Sequence, residues 1–259
     1  MRTSVAVILM MLLLGACTSG PTKDVTKTWG PDRLYNEAKS ELDGGNYKKS
    51  IGLYEKLEAR FPYGRFAQQS QLEVAYAYYK EREPASAIAA CDRFIKLYPN
   101  NPNVDYAYYL KGLVSFNEDL GLLAKISDQD MTDRDPQAMR ESFDALRDLV
   151  SRFPDSRYSP DAVKRMQYLV DSLANSEVKV AEYYYRRRAY VAAVNRAQYA
   201  LQNFPQAPAL ERAFAVLSKS YAAMGMTDLQ KDSERMLKLN FPSSKLLEPR
   251  AGKAWWDFF

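Results

Sequence analysis

The chain has 259 residues, of which 36 are Lys or Arg and 32 are Asp or Glu, and it contains no histidine. This balanced charge gives no basis for a nucleic-acid-binding protein, which needs a concentrated basic face. The absence of histidine removes the commonest general base and the commonest metal ligand.

The first 16 residues predict a signal peptide. Arg2 supplies a positive charge, and residues 5–14 form an apolar stretch too short to span a bilayer as a helix. Leu14-Gly15-Ala16-Cys17 then resembles the bacterial lipobox, in which the cysteine becomes lipidated. We therefore predict a covalent lipid on Cys17 and no other cofactor; the alternative is an ordinary signal peptide with an incidental cysteine. In Gram-negative lipoproteins an aspartate directly after the lipidated cysteine tends to mean retention in the inner membrane. Here Thr18 follows Cys17, so we expect a lipid-anchored protein on the periplasmic face of a Gram-negative outer membrane.

The segment after the cysteine is polar and has no periodicity, so residues 17–31 predict the lipidated end and a flexible tether. Cys91 is then the one cysteine left in the folded part. A single thiol cannot form a disulfide framework or a cysteine metal site. We expect Cys91 to fill space in the core.

An aromatic residue followed by proline occurs five times, each time after a stretch with helical periodicity. Proline ends a helix because it lacks an N–H and disfavours the α conformation in the residue before it. The five pairs are Phe61-Pro62, Tyr98-Pro99, Phe153-Pro154, Phe204-Pro205 and Phe241-Pro242. Steps of about three and four place the preceding apolar residues on one helix face. Three such faces are Ile51, Tyr54, Leu57 and Phe61; Ile88, Cys91, Ile95 and Tyr98; and Met236, Leu239 and Phe241.

Two of the intervals between these prolines are 37 residues long, close to the tetratricopeptide helix pair of about 34 residues. Small residues fall where two helices of such a pair come closest, namely at Ala75, Ala87, Ala181 and Ala193. We predict an all-α, tetratricopeptide-type solenoid of five helix pairs, about ten helices. The predicted repeats occupy residues 32–62, 65–99, 103–154, 159–205 and 208–242 of an array over 32–242, before an aromatic tail at 243–259. Ser159-Pro160 predicts an N-cap and the first helical residue of the longest helix.

No motif predicts an enzyme, so we expect no catalytic residues. The chain has no phosphate-binding glycine loop and no Gly-x-Ser-x-Gly motif. Four aspartates lie close together in the sequence, as in a calcium-binding loop: Asp128, Asp130, Asp133 and Asp135. They lack the EF-hand spacing, so we expect a solvated loop and no metal. For the run from Tyr183 to Arg188 we favour the interpretation that some tyrosines pack inward and that the arginines lie at a helix C-terminus. The alternative is that this run contacts a protein partner.

Nine short segments together resemble the BamD family, the tetratricopeptide lipoproteins of the outer-membrane β-barrel assembly machinery. They are residues 61–64, 68–72, 76–80, 92–95, 102–106, 133–136, 161–165, 181–184 and 194–196. The resemblance covers residues 30–242 in order, and the tail lies outside it. It implies a non-enzymatic scaffold that contacts the periplasmic domains of BamA and the other lipoproteins of the complex. It also implies that the scaffold receives unfolded outer-membrane β-barrel precursors.

A solenoid of helix pairs presents a concave face formed mainly by the first helix of each pair. We predict that this face binds an extended precursor peptide that ends in an aromatic residue and a carboxylate. The predicted groove residues are Gln69, Tyr76, Tyr79, Lys80, Tyr106 and Tyr109. Alternatively, these tyrosines belong to the core. For the BamA contact, the resemblance nominates Asn195 and Arg196.

Two other functions stay open. A tetratricopeptide lipoprotein that pilots a secretin would copurify with a secretin instead of BamA. A periplasmic cell-wall hydrolase would need a carboxylate pair in a cleft. The tail has three alternative docking places: the last helix pair, a partner protein, or the precursor groove. It ends Trp255-Trp256-Asp257-Phe258-Phe259, and large aromatic side chains are costly to leave in water.

Overall fold

The computed structural model describes residues 24–116 and 136–247, and within these ranges the chain is all-helical. The predicted fold class is confirmed, because these residues form ten α-helices and one 3-10 helix and contain no strand. The helices are α1 Pro31–Asp43, α2 Tyr47–Arg60, α3 Arg65–Glu81, α4 Pro84–Leu97, α5 Val104–Phe116, α6 Pro136–Arg152, α7 Ser159–Arg186, α8 Tyr190–Asn203, α9 Leu210–Ala223 and α10 Thr227–Asn240.

The chain divides into two compact units, Met1–Ser70 and Gln71–Phe259. The first contains α1, α2 and the start of α3, and the second contains the rest of α3 and the helices after it. Cys17, the four aspartates of the solvated loop and the aromatic end of the tail lie outside the described residues.

The aromatic residues of the repeated aromatic–proline pairs end their helices in one common conformation. Phe61, Tyr98, Phe204 and Phe241 are C-cap residues with φ from −130° to −132° and ψ from 56° to 72°. The backbone N–H of each still donates to the carbonyl four residues earlier, at 2.8–3.0 Å. Proline follows and cannot continue this ladder, so the local rule that predicts these helix ends is confirmed.

Small buried residues stand where the two helices of a pair meet. Twelve residues before the closing proline, the first four repeats carry Ser50, Ala87, Ser142 and Ala193, all fully buried. Both serines satisfy their hydroxyl groups across the pair, since Ser50 Oγ–H donates to the Ala38 carbonyl and Ser142 Oγ–H to the Gly112 carbonyl, each at 2.8 Å. Backbone atoms can approach this closely only because the side chains are small.

The core of the first unit is aromatic and aliphatic. Leu34, Ala38 and Leu42 of α1 pack with Tyr54 and Leu57 of α2, and all five are buried. In the second unit, buried residues from α6 to α10 form one continuous cluster. Cys91 is fully buried in α4, as predicted, and its burial raises the pKa of the thiol to about 12.

Two predicted apolar faces match the buried stripes only in part. Cys91 is buried, and Ile95, Tyr98 and Phe241 pack against the core as half-buried residues. In α4 the buried residues are Ala87, Ala90, Cys91 and Phe94, whereas Ile88 and Ile95 are only half-buried. In α10 the predicted Met236 and Leu239 are exposed, and Ser233 and Leu237 are buried instead. Periodicity identifies a helix face but does not say which of two adjacent stripes meets the neighbouring helix.

Ser159 is not an N-cap, contrary to the prediction. Tyr158 occupies that position, and Ser159 is the first residue of α7. The Ser159 hydroxyl donates to the Phe153 carbonyl at 2.7 Å, which ties α7 to the end of α6.

The predicted flexible tether, residues 17–31, is wrong for its last eight residues. Val25–Thr28 form a 3-10 helix whose N-cap, Asp24, accepts a hydrogen bond from the Thr26 N–H at 3.0 Å. Lys56 and Arg60 of α2 donate to the Asp24 carboxylate at 3.0 and 3.1 Å. The hydrogen bond from the Thr26 hydroxyl, followed by that from Lys56, holds the pKa of Asp24 well below its ordinary value. These contacts fasten the segment to the first unit.

Candidate functional site

Tyrosine rings from α5 and from the start of α7 stack on one another in the second unit. The ring of Tyr158 lies 4.8 Å from that of Tyr109, nearly parallel at 17°, and 5.4 Å from that of Tyr106. Tyr76 of α3 lies close enough to act electrostatically on Tyr106. We call Tyr76, Tyr106, Tyr109 and Tyr158 the tyrosine cluster. All four are partly exposed, and Tyr109 and Tyr158 also pack against the core of the second unit, so the cluster lies at the edge of that core.

Burial is the main influence on the pKa values of Tyr106 and Tyr109. Desolvation, followed by neighbouring tyrosines, raises the pKa of Tyr106, and desolvation with the hydrogen bond to Asp161 raises the pKa of Tyr109 to about 12. Both phenols are therefore neutral donors at physiological pH. The cluster therefore offers aromatic faces together with the neutral hydroxyl groups of Tyr106 and Tyr109.

A carboxylate and a guanidinium group border the cluster on α7. The Tyr109 hydroxyl donates to Asp161 Oδ2 at 2.7 Å, and Arg165 Nε–H donates to the same oxygen at 2.5 Å. Burial alone would raise the pKa of Asp161, but the hydrogen bonds from Tyr109 and Arg165 lower it below its ordinary value of 3.8. Arg165 is thus neutralised inside the chain by Asp161.

A second arginine reaches the cluster from the α6–α7 turn. The Arg157 guanidinium lies 4.7 Å from the centre of the Tyr158 ring and donates a hydrogen bond to the Tyr158 hydroxyl. Its side chain is exposed. Arg157 therefore brings a positive charge to the rim of an aromatic surface, a combination that suits a ligand with an aromatic group next to a carboxylate.

The predicted groove residues are only partly brought together. Tyr106 and Tyr109 meet through Tyr158, and Tyr76 and Tyr79 form a ring pair at 6.3 Å. Lys80 is exposed at the end of α3. Gln69 is exposed and belongs to the first unit, whereas the other predicted groove residues belong to the second.

Sequence reasoning missed three residues of this surface: Arg157, Tyr158 and Asp161. Tyr158 and Arg157 precede α7 and stand outside its periodic pattern. Asp161 belongs to a family motif, which gives no sign of its contact with Tyr109. A usable sign is that Tyr158 directly precedes Ser159-Pro160, which starts a helix, so that Tyr158 lies in the turn between two repeats.

Asn195 and Arg196 lie side by side on α8, and both are exposed. Arg196 donates to Glu177 of α7 at 3.0 Å, with 49% of the arginine side chain and 14% of the glutamate side chain exposed. Asn195 borders an open hollow of about 550 Å³ that is lined mainly by residues 188–192 and Met224. Val191 within it is 66% exposed. The hollow combines apolar surface with a polar rim.

Comparisons with known proteins place this chain in a family. The YfiO family model, described as "Outer membrane lipoprotein", matches residues 29–237. The "Outer membrane protein assembly factor BamD" of Neisseria meningitidis serogroup B is 44% identical over 266 residues, covering 100% of both chains. The protein of the same name from Vibrio cholerae is 33% identical over 90% of this chain and 96% of its own. This chain belongs to the BamD family. The predicted resemblance is confirmed, and the BamD match extends through the aromatic tail, which the motifs did not reach.

The solved structure of MamA protein aligns at 15% identity with a TM-score of 0.39, over 85% of this chain and 96% of its own. Similarity at that level carries no argument about function. Among the helices in residues 24–116 and 136–247, none is both long and apolar enough to cross a membrane.

Proposed function

We propose that this chain is a lipid-anchored scaffold that assembles β-barrel proteins into the outer membrane. It would bind BamA and the accessory lipoproteins and receive unfolded barrel precursors. Support comes from the BamD-family relatives, which are named outer membrane protein assembly factors and match over the full length. The tyrosine cluster carries the finer proposal, because it combines partly exposed aromatic faces with a charged rim.

In this proposal the last aromatic side chain of a precursor packs on the tyrosine cluster. Its terminal carboxylate then accepts hydrogen bonds from Arg157, since Arg165 is already paired with Asp161. Aromatic pairs favour offset or tilted contacts, such as the tilted one that Tyr106 and Tyr158 already make with each other. Extended peptides gain most of their specificity from such side-chain pockets.

We expect Arg157→Glu to weaken the binding of a peptide that ends in phenylalanine with a free carboxylate by about ten-fold. The substitution replaces attraction by repulsion at the terminal carboxylate. Fluorescence anisotropy with the mature protein measures the dissociation constant. The wild type should prefer the free acid over the C-terminally amidated peptide, and the variant should not.

The matched control is Arg147→Glu, which makes the same charge change on α6, where Arg147 pairs with Asp144 at 3.0 Å. It should leave the preference for the free acid intact. An undiminished preference in Arg157→Glu itself would exclude Arg157 from carboxylate recognition.

For BamA we propose a contact at Asn195, Arg196 and the adjoining hollow. The exposed Val191 and the apolar lining would form the centre of the contact, and Arg196 would belong to its charged rim, as protein interfaces are commonly arranged. Because half of the Arg196 side chain remains exposed beside Glu177, its guanidinium can bind a second acidic group on a partner.

Arg196→Glu should therefore reduce the amount of BamA that copurifies from crosslinked membranes. The substitution also removes the internal pair with Glu177, which is worth about 0.2–1 kcal/mol at an exposed site. Glu177→Gln removes the same pair and keeps the arginine, so it should leave copurification unchanged. Equal BamA recovery from Arg196→Glu and wild type would remove Arg196 from the interface. Recovery of a secretin in place of BamA would contradict the assembly function.

The membrane anchor is proposed to be a lipid on Cys17. Because the chain is fastened to the first unit from Asp24 onwards, only residues 18–23 would lie between lipid and fold. Six residues span at most ~20 Å. This anchor would therefore keep the first unit close to the membrane surface.

Cys17→Ser is expected to release the protein from the membrane fraction. Fractionation should use cells depleted of BamA, because a lipid chain and a protein contact are two independent signals for membrane attachment. Retention of the variant in washed membranes under these conditions would show that lipid on Cys17 is not the anchor.

A further inference from the structure

The last helix, α10, exposes apolar side chains where the other repeats expose polar ones. Leu229, Met236 and Leu239 are 46%, 36% and 71% exposed. Their spacing of seven and three residues places them on one face of α10, next to the buried stripe of Ser233 and Leu237.

Counting back from each closing proline identifies the equivalent positions in the first four repeats. They hold mostly polar, small or charged residues. The positions equivalent to Leu229 hold Lys49, Ser86, Glu141 and Ala192, and those equivalent to Met236 hold Lys56, Arg93, Asp148 and Tyr199. The positions equivalent to Leu239 hold Ala59, Lys96, Ser151 and Gln202. All twelve are exposed or half-exposed, and Tyr199 is the one large apolar side chain among them. A large apolar residue at all three positions of one repeat therefore indicates that something covers α10.

An open hollow continues this apolar face towards the neighbouring helices. It measures about 520 Å³ and is lined by Met236, Asn240 and Phe241 together with Leu201, Phe214 and others. Phe241 and Phe214 are already 6.5 Å apart. The hollow is therefore large enough and apolar enough for an aromatic side chain.

The chain itself supplies a segment with matching chemistry. After α10 the backbone turns back, and Leu247 packs against the core of the second unit. Twelve residues follow, with two tryptophans and two phenylalanines among the last five. Twelve extended residues reach ~40 Å, whereas a 14-residue helix is ~21 Å long, so the tail can reach all of α10.

Charge also fits this segment. Asp257 gives this part of the tail a negative charge. Lys238 is exposed in the last turn of α10, beside Leu239, whereas Arg235 is exposed one turn earlier and already pairs with Asp232 at 3.0 Å. A covalently attached segment also has a high effective concentration at the face, which a separate partner lacks.

We propose that the C-terminal segment Trp255–Phe259 folds back onto the apolar face of α10 and covers the open end of the last helix pair. This inference does not rest on the proposed function. Solenoids need polar caps at their ends, and here the cap would be an aromatic segment whose own outer surface and backbone face the water.

The test uses the mature chain with Trp29→Phe, so that fluorescence comes only from Trp255 and Trp256. The emission should be blue-shifted relative to the urea-unfolded chain and independent of protein concentration. Leu239→Asp should move it towards the unfolded spectrum. Lys96→Asp, at the equivalent position of the second repeat, should leave it unchanged. Deletion of residues 255–259 should speed amide exchange in α10 and leave α1 and α2 unaffected.

Three outcomes would overturn the proposal. The first is an emission equal to that of the unfolded chain, or blue-shifted only after a partner is added. The second is a blue shift that Leu239→Asp does not diminish. The third is a blue shift abolished by a precursor-tail peptide, which would place the tail on the tyrosine cluster instead.

Discussion

Gly112→Val is expected to destabilise the second unit by about 3 kcal/mol, the upper end of the range for overpacked cores. Gly112 lies in the middle of α5, where a Cβ atom would stand 2.4 Å from Leu146 Cδ2 and 2.7 Å from Leu146 Cγ. Leu146 is fully buried in α6, so its side chain cannot turn away into solvent. The hydrogen bond from Ser142 to the Gly112 carbonyl holds the two backbones at this distance.

Replacing a glycine inside a helix also has a stabilising effect, because helix propensity disfavours glycine by about 1 kcal/mol relative to alanine. At Gly112 the clash outweighs it. Gly52 in α2 provides the opposite case, because nothing lies within 4 Å of its Cβ position. Urea unfolding followed by helical ellipticity should therefore show Gly52→Ala as stable as the wild type or up to about 1 kcal/mol more stable. Wild-type stability of Gly112→Val would mean that α5 and α6 do not pack this closely.

The repeat architecture could be predicted from sequence because its determinants are local. A helix ends wherever Phe-Pro or Tyr-Pro occurs in this chain. The small residues Ala87 and Ala193 allow close contact between the two helices of one pair, so their determinant also lies within a single repeat. Both patterns recur at fixed offsets along the chain. Five weak local patterns therefore add up to a specific fold.

Contacts between distant segments could not be predicted in this way. Asp24 meets Arg60, 36 residues away, and a polar segment without periodicity gives no sign of that contact. Tyr158 contacts Tyr109, although α6 and the residues between α5 and α6 separate the two in the sequence. In α10, the periodicity fits Met236 and Leu239 as well as Leu237, and only the packing on α9 decides between the two stripes.

Tyr158→Ala should lower the affinity for a precursor-tail peptide by about 2 kcal/mol, roughly thirty-fold in Kd. The ring of Tyr158 is the common neighbour of Tyr106 and Tyr109, so its removal separates the aromatic faces that the peptide would contact. The fold should tolerate the change, because Tyr158 caps α7 through its backbone. Its carbonyl accepts from the Ala162 N–H at 2.9 Å, and its side chain makes no capping hydrogen bond.

The matched control is Tyr63→Ala. Tyr63 is 92% exposed in the first unit, so this variant removes the same side chain without touching the tyrosine cluster. Its affinity for the peptide should equal that of the wild type. Both variants should keep the wild-type helical signal at the assay temperature, which separates a loss of binding from a loss of folding. A lower melting temperature is expected for Tyr158→Ala, because its ring packs against the core of the second unit.

The most direct measurement is an anisotropy titration of a labelled peptide that carries the last residues of a barrel precursor, ending in phenylalanine with a free carboxylate. It is run against the wild type, Tyr158→Ala and Tyr63→Ala. A Kd raised roughly thirty-fold in Tyr158→Ala alone is the predicted result. Equal Kd values for all three folded proteins would contradict the placement of precursor recognition on the tyrosine cluster.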